Sequence, residues 1–520
     1  MEIFIASKSI RSRHGKVKNA ARDASSKCER GKSVPILRLV EYPKDELDTI
    51  HSATLKVLRN VGIKFPDKGA LDALKSAGAD VDYATEVARF PENIVKDALK
   101  HAPHTVTLCG RDPSHDIRLG ENGGTHFMPS GIGVYIYDLD TGQRRTANRD
   151  DAANVSKIVD ALLNIHVLQV MVSPGDVPDK IADHFKFEAA FNNTSKHVSN
   201  CIGPITSDDG ARDIVEMASA IVGGRDELRK RPIISVHQCP ISPLQYDVHG
   251  LRAIMEYAKN SVPMCIYSMA MGGGTAPATI AGELVVINAE FLAGLVLLQK
   301  LNPGCPVIYG TVASVMDLKT GVLPLGAPER PILQIGVVSL ARYYGVPHGM
   351  ISAGHTDAQI PGSQAGFEKA ITALPVVLAG TELILGAGAV DSANTYSYEQ
   401  LVIDNEIWGA LLRIQRGFEV NEDTVAEDLI EKIGIGKHFI GEKHTLTHVQ
   451  REQWYPQLYS RIKRSEDVFN ENVLGKRDLA IVARQRAKEI LKSHQVKPLE
   501  KDAQQKIRAL VRNAERRVQL

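Results

Sequence analysis

From about residue 148 the chain alternates short apolar runs with longer stretches in which apolar residues recur at helical spacing. The runs fall at 167–172, 197–202, 233–237, 264–269, 307–310, 348–352 and 383–388, with a further candidate at 394–397. Helical patterns lie between most of them, at 181–193, 208–222, 248–259, 278–301, 329–344 and 363–380. Short runs of this kind fit strands buried on both faces. Seven or eight of them alternating with helices predict an α/β fold, a (β/α)8 TIM-type barrel over 148–420. An open doubly wound sheet would give the same alternation from periodicity alone.

The flanks read differently. Residues 1–40 are basic and polar and are expected to form a flexible arm. Residues 41–147 read as an N-terminal α+β region. It opens with an amphipathic helix at 43–62, with Ile50, Leu55, Val57, Leu58 and Val61 near helical spacing. Two short helices are expected before and after Pro91. Strand runs then follow between 104 and 146, the last pair joined at the turn signal Asp140-Thr141-Gly142. Residues 421–520 are helical and charged, a C-terminal extension whose Lys- and Arg-rich last part is expected to face solvent.

Composition excludes several function classes. The 520 residues carry 62 Lys and Arg against 61 Asp and Glu, a formal net charge of +1. That balance supports neither a nucleic-acid partner nor a membrane surface. Six cysteines (Cys28, Cys109, Cys201, Cys239, Cys265 and Cys305) are scattered without a CxxC pair, as expected of a reduced, cytoplasmic protein. The longest uncharged window, 261–282, is broken by four glycines and two prolines, which argues against a membrane helix.

The block at 264–317 reads as one strand, glycine turn, helix and strand: MCIYSMAMGGGTAPATIAGELVVINAEFLAGLVLLQKLNPGCPVIYGTVASVMD. Its wording resembles the trimethylamine methyltransferase family. So do HTDAQIPGSQAGFEKAITALPVVLAGTELILGAG at 355–388, SYEQLVIDNEIWG at 397–409 and GKHFIGEKHTLTHVQREQWYPQL at 436–458. Upstream, HFMPSGIGVYIYDLDTGQRR at 126–145 and LDTIHSATLKVLRNVGIKF at 47–65 fit as well. The resemblance covers roughly residues 40 to 490. It implies the barrel, and a methyl transfer from an amine to a cobalt corrinoid carried by a separate protein. One departure matters. Members that demethylate trimethylamine carry pyrrolysine in the region aligning with 352–357, which here reads SAGHTD. The chain therefore resembles the non-pyrrolysine branch, of which glycine betaine methyltransferases are the best-known type.

In such barrels function sits at the C-terminal ends of the strands. Those ends are rich in rings, histidine and glycine and poor in carboxylates. Ring faces hold a quaternary ammonium through cation–π attraction, and it has no N–H to donate. Tyr267, Tyr309 and Tyr396 are the candidate cage, or else simply pack the barrel mouth. His355, with Asp357, sits in the SAGHTD loop and either faces the substrate or bonds loop backbone. His237 and His348 are candidates to hold a substrate carboxylate. Gly272, Gly273, Gly274 and Thr275 precede a helix and could present bare amides to an anion or a smooth surface to the corrin. They do not form a dinucleotide fingerprint.

Two zinc arrangements are also open. His444 and His448 are four apart, with His438 nearby, and Cys201, His237 and Cys239 could converge at neighbouring strand ends. The resemblance assigns no metal to this chain and no corrinoid of its own, since no DxHxxG motif occurs. The expected activity is methyl transfer from a quaternary amine, most plausibly glycine betaine, to Co(I) of a corrinoid-binding partner. The expected protein is a cytoplasmic homo-oligomer with no membrane or nucleic-acid partner. Trimethylamine, carnitine or proline betaine as substrate, a zinc-dependent corrinoid methyltransferase, and a non-catalytic betaine-binding barrel are the alternatives.

Overall fold

The computed structural model describes residues 42–121, 123–202, 208–459, 461 and 478–519. The arm expected at 1–40 and the strand-end Gly203 lie outside them. Eight parallel strands form one sheet: β1 His126–Pro129, β2 Val167–Gln169, β3 His197–Ile202, β4 Ile234–Gln238, β5 Met264–Ser268, β6 Val307–Thr311, β7 His348–Ile351 and β8 Leu383–Ala387. From β2 to β8 each strand pairs with its neighbour in chain order. The last, β8, pairs with β1, Leu383 beside His126. The remaining seam lies between β1 and β2, where His166 N–H donates to Phe127 O at 2.8 Å. A helix follows each strand: α1 Arg149–Ala161, α2 Ala182–Asn193, α3 Asp208–Val222, α4 Val248–Lys259, α5 Ile280–Leu301, α6 Glu329–Tyr344, α7 Ser363–Leu378 and α8 Tyr398–Gln415. This is the (β/α)8 TIM-type barrel and not the open sheet.

Two expected boundaries move. The barrel starts at His126 rather than at 148, because the run THFM is its first strand. The run at 394–397 is a strand, Thr395–Ser397, but it pairs with Ala389–Val390 and Tyr135–Tyr137 in a separate four-stranded sheet. Both runs are short and mix polar with apolar residues. Only their hydrogen-bond partners distinguish them.

The end of the barrel where the strands begin is closed. A hairpin, Val106–Leu108 with Ile117–Leu119, places Val106, Leu108, Ile117 and Leu119 in one apolar cluster with Met128, Ile308, Met350 and Leu383. Its backbone is tied to the same end, with Gly120 N–H donating to Glu382 at 2.8 Å and Cys109 N–H to Pro232 O at 3.1 Å. Any ligand must therefore enter from the other end.

Helix α5 is apolar on nearly every face because it is covered twice. The barrel lies on one side, and the N-terminal helices Lys44–Asn60, Lys68–Ser76 and Glu92–His101 pack on the other. It is long and apolar enough to cross a membrane, yet most of it is buried within the protein. The C-terminal helices Leu479–Ser493 and Lys501–Gln519 pack on α8, α1, α3 and α2. They bury Ala483, Ala487, Ile490, Ile507, Val511 and Ala514. Their basic side chains are nearly all exposed, and two of them reach carboxylates on the barrel helices: Arg484 donates to Glu399 at 2.7 Å and Arg517 pairs with Asp213. Residues 416–452 belong to a second compact unit.

A buried ion pair ties α7 to α8. Lys369 Nζ lies 2.9 Å from Asp404 Oδ2, with both side chains wholly excluded from solvent. Lys369 also donates to Gly354 O at 3.1 Å and Gly386 O at 2.7 Å, while Asp404 accepts from Gly388 N–H at 2.7 Å. Replacing Lys369 by Met leaves a buried carboxylate unpaired and should cost about 3–5 kcal/mol. In urea denaturation, Lys369→Met should unfold well below the parent, and Lys369→Met with Asp404→Leu should recover part of the loss. A single variant as stable as the parent would show that the pair does not anchor these strands.

Candidate functional site

Successive residues of a barrel strand face alternately inward and toward the helices. At the strand ends this alternation separates candidates that are similar in sequence. Cys265 and Tyr267 of β5 face the interior with Ile308 of β6. Tyr309, one residue on, faces the helices. Its ring stacks on Phe291 of α5 at 3.8 Å and its hydroxyl donates to Asn288 at 3.1 Å. Tyr396 packs on Gly388, where an added Cβ would come within 2.2 Å of the ring. Among the described residues no ring contact joins any two of the three tyrosines. The three-tyrosine cage is therefore not assembled, and only Tyr267 lines the barrel interior.

Two other candidates are also displaced. His348 is the first residue of β7, so it lies at the closed end, where its ring approaches Glu382 at 3.5 Å and Gly380 O at 3.3 Å. The glycine turn has few free amides. Gly274, Thr275 and Ala276 N–H all donate to Met271 O, and Gly273 N–H donates to Ala276 O. The helix starts later, at Ile280, with Thr279 as its own cap. Gly272 is required for another reason: an added Cβ would sit 2.7 Å from the carboxylate of Glu283.

The mouth instead carries a continuous run of polar side chains from β2 round to β1. The Gln169 amide lies 3.2 Å from His237 Nε2. The His237 ring meets Tyr267 edge-on with centroids 5.1 Å apart. The Tyr267 side chain lies beside Ser352, which follows β7. Ser352 Oγ lies 3.1 Å from His355 Nδ1, and His355 Nε2 lies 2.7 Å from Ser130 Oγ beyond β1. All six are buried. Beside them a cavity of about 250 Å³ opens at the ends of β2 and β3, lined by Gly131, Gln169, Met171, Lys186, Asn200 and Cys201.

The electrostatics of this run are specific. Burial, with Arg330 and Lys369 nearby, holds His355 well below the usual histidine range, so its imidazole is neutral. Burial keeps Tyr267 a phenol. Arg330, at the start of α6, is fully buried and donates to Leu325 O at 2.6 Å and Ser352 Oγ at 3.0 Å. Burial lowers it to about 10, so it remains cationic at neutral pH. Among the described residues no carboxylate forms an ion pair with it. Asp357 is occupied, accepting from Leu325 N–H, Gly326 N–H and Ser392 Oγ at 2.8–2.9 Å. Cys201 and Cys239 share a hydrogen bond that draws Cys201 well below the usual thiol range and pushes Cys239 up.

Ser130, Gln169, Arg330 and Glu283 were not candidates from sequence. Gln169 could have been found as the polar residue within an apolar strand run. Arg330 and Glu283 carry no local signal, because each is a charged residue in a first helical turn, where charge is ordinary. Glu283 is buried against Gly272, and burial raises its carboxyl to about 8. For the zinc arrangements, the described residues bring three possible ligand atoms within 4.8 Å of one another only at Asp423, His444 and His448. Cys201, His237 and Cys239 do not meet that spacing.

The chain is similar to several known proteins. The family model for trimethylamine methyltransferase (MTTB) matches residues 9–519. Trimethylamine methyltransferase MttB of Desulfitobacterium hafniense is 36% identical over 92% of this chain and 94% of that protein. The MttB protein of Methanosarcina thermophila is 37% identical over 89% of this chain and 94% of its own length. A glycine betaine methyltransferase of Desulfitobacterium hafniense is 34% identical over 80% of this chain and 86% of that protein. Among solved structures, the monomethylamine methyltransferase MtmB of Methanosarcina barkeri aligns with a TM-score of 0.48 at 12% identity, over 87% of this chain and 93% of that one.

Two buried histidines, His197 and His355, and two partly buried ones, His126 and His166, set a pH dependence. Burial lowers His126 and His197 to about 4, and holds His166 and His355 well below the ordinary value near 6.5. These rings take up protons more readily in the unfolded chain. Their contribution to stability is therefore complete above about pH 6.5 and is lost as pH falls from there toward about 4. Each can contribute a slope of up to about 1.4 kcal/mol per pH unit. Urea denaturation across this range should show the decline, and His355→Gln should make it shallower. An unchanged slope in that variant would mean that His355 is not held neutral.

Proposed function

The chain belongs to the trimethylamine methyltransferase family, and from that premise we propose that it moves a methyl group from a quaternary amine, glycine betaine, to Co(I) of a corrinoid carried by a separate protein. The observation that carries this reading is the state of His355. A neutral tertiary amine that lost a methyl group would have to leave as an amide anion, unless an acid supplied a proton. His355 is neutral, and both its nitrogens are engaged by Ser352 and Ser130. Asp357 is fully occupied by donors. Neither is arranged as a general acid. A quaternary nitrogen already bears its charge and leaves as a neutral amine without one. The loop at 352–357 consists of ordinary residues, SAGHTD, so it offers no special group to activate a tertiary amine.

Arg330 favours a zwitterion over a simple cation. A buried guanidinium near Tyr267 and Ser352 repels a lone ammonium, whereas the carboxylate of a betaine offsets it. Tyr267 and His237 present ring surface to the methyl groups, and burial of the mouth excludes water from the transfer. The corrinoid, when docked, supplies the nucleophilic cobalt. The cavity of about 250 Å³ that adjoins this run at Gln169 and Cys201 is too small for a corrin ring, consistent with a carrier protein that approaches from outside. A relative named glycine betaine methyltransferase supports the same substrate class.

Two measurements test this reading. With free cob(I)alamin as acceptor, formation of demethylated product should favour glycine betaine over both choline and trimethylamine by roughly 100-fold or more at neutral pH. Comparable rates on trimethylamine would overturn the argument from His355, and comparable rates on choline would remove Arg330 from it. In the second, Tyr267→Ala should weaken glycine betaine binding about 2- to 30-fold, the worth of one cation–π contact. Tyr309→Ala should lower stability through its lost packing on Phe291 without changing affinity. The opposite pattern would place the ammonium site elsewhere.

A further inference from the structure

We propose that Asp423, His444 and His448 form a zinc site that staples residues 416–452. Among the described residues of their compact unit, apolar burial is slight. Among its described residues only Ile433 is buried, while Phe418, Val420, Ile435, Ile440 and Leu446 stand exposed. Segments this small seldom fold on apolar burial alone and take a metal, a disulfide or a partner instead. The described residues of the unit contain no cysteine.

The geometry follows from the helix Lys443–Glu452. Residues four apart share one helical face, and here the rings of His444 and His448 lie 4.3 Å apart. The third ligand comes from the short helix Glu422–Val425, where Asp423 Oδ2 lies 3.1 Å from His448 Nε2. His444 Nε2 approaches the Asp423 carbonyl at 3.0 Å. The three donor atoms lie within 4.8 Å of one another. A tetrahedral zinc with bonds of about 2.0–2.1 Å needs neighbouring ligands about 3.3 Å apart, which rotation of these side chains supplies. Two imidazoles and a carboxylate suit zinc, with water as the fourth ligand. Asp423 and His444 are separated by 21 residues, so one ion would close a loop of that length.

The test uses the full-length chain, stripped with a chelator and titrated with Zn²⁺, with Co²⁺ as a coloured probe of coordination. About one equivalent should bind, and trypsin should cut at Lys432, Lys437 and Lys443 more slowly once it has. The exposed variants Asp423→Asn and His444→Gln with His448→Gln should each weaken binding at least tenfold and abolish the protection, with the barrel still folded. Absence of stoichiometric binding would overturn the proposal. So would binding that survives the histidine double variant but disappears in Cys201→Ser with Cys239→Ser, because the metal would then sit in the barrel. Methyl-transfer activity enters neither readout, so the outcome is independent of the substrate assignment.

Discussion

The loops that form the mouth depend on one buried pair, Lys369 with Asp404. Each side chain does more than neutralise the other. Lys369 gathers the carbonyls of Gly354 and Gly386, and Asp404 fixes the amide of Gly388, so one ion pair sets the spacing of the ends of β7 and β8. An isolated charge at this depth would be strongly unfavourable, so neither partner is stable without the other. Gly354 lies between Ser352 and His355. The pair therefore positions the residues that give the mouth its polar character without touching a ligand itself.

From that anchor the electrostatics follow in order. Lys369 and Arg330 are two buried cations near His355, and together with burial they keep its imidazole neutral. A neutral histidine held between two hydroxyls is a hydrogen-bonding post and does not act as an acid. Arg330 gives the mouth a fixed positive charge, stabilised by carbonyls and a serine and, among the described residues, in no ion pair with a carboxylate. This arrangement underlies the proposed preference for a ligand that brings its own negative group and whose nitrogen requires no proton.

The closed end serves the same purpose. The hairpin that inserts Val106, Leu108, Ile117 and Leu119 fills the barrel from below. Polar interior residues such as Gln169, His237 and Ser352 are thereby confined to the upper layer, where Arg330 and His355 satisfy Ser352, while Gln169 Oε1 and His237 Nδ1 have no partner among the described residues. Helix α5 contributes rigidity on the outside. Its apolar surface is shared between the barrel and the N-terminal helices, and Tyr309 is part of that packing.

The barrel itself was legible in the sequence, because alternation of short apolar runs with helical spacing reflects burial on both faces of each strand. The loop 352–357 was legible too, since its wording marks it within the family and the structure places His355 at the mouth. Three other assignments depended on tertiary structure. Tyr267 and Tyr309 both end apolar runs, yet strand register turns one ring inward and the other onto Phe291. His348 resembles His237 in sequence, but it begins its strand, and so strand direction places it at the closed end. Arg330 and Glu283 are charged residues in first helical turns, and only packing shows that they are buried. Local pattern records whether a residue is apolar. Register, direction and closure, which arise from pairing between distant segments, decide what it faces.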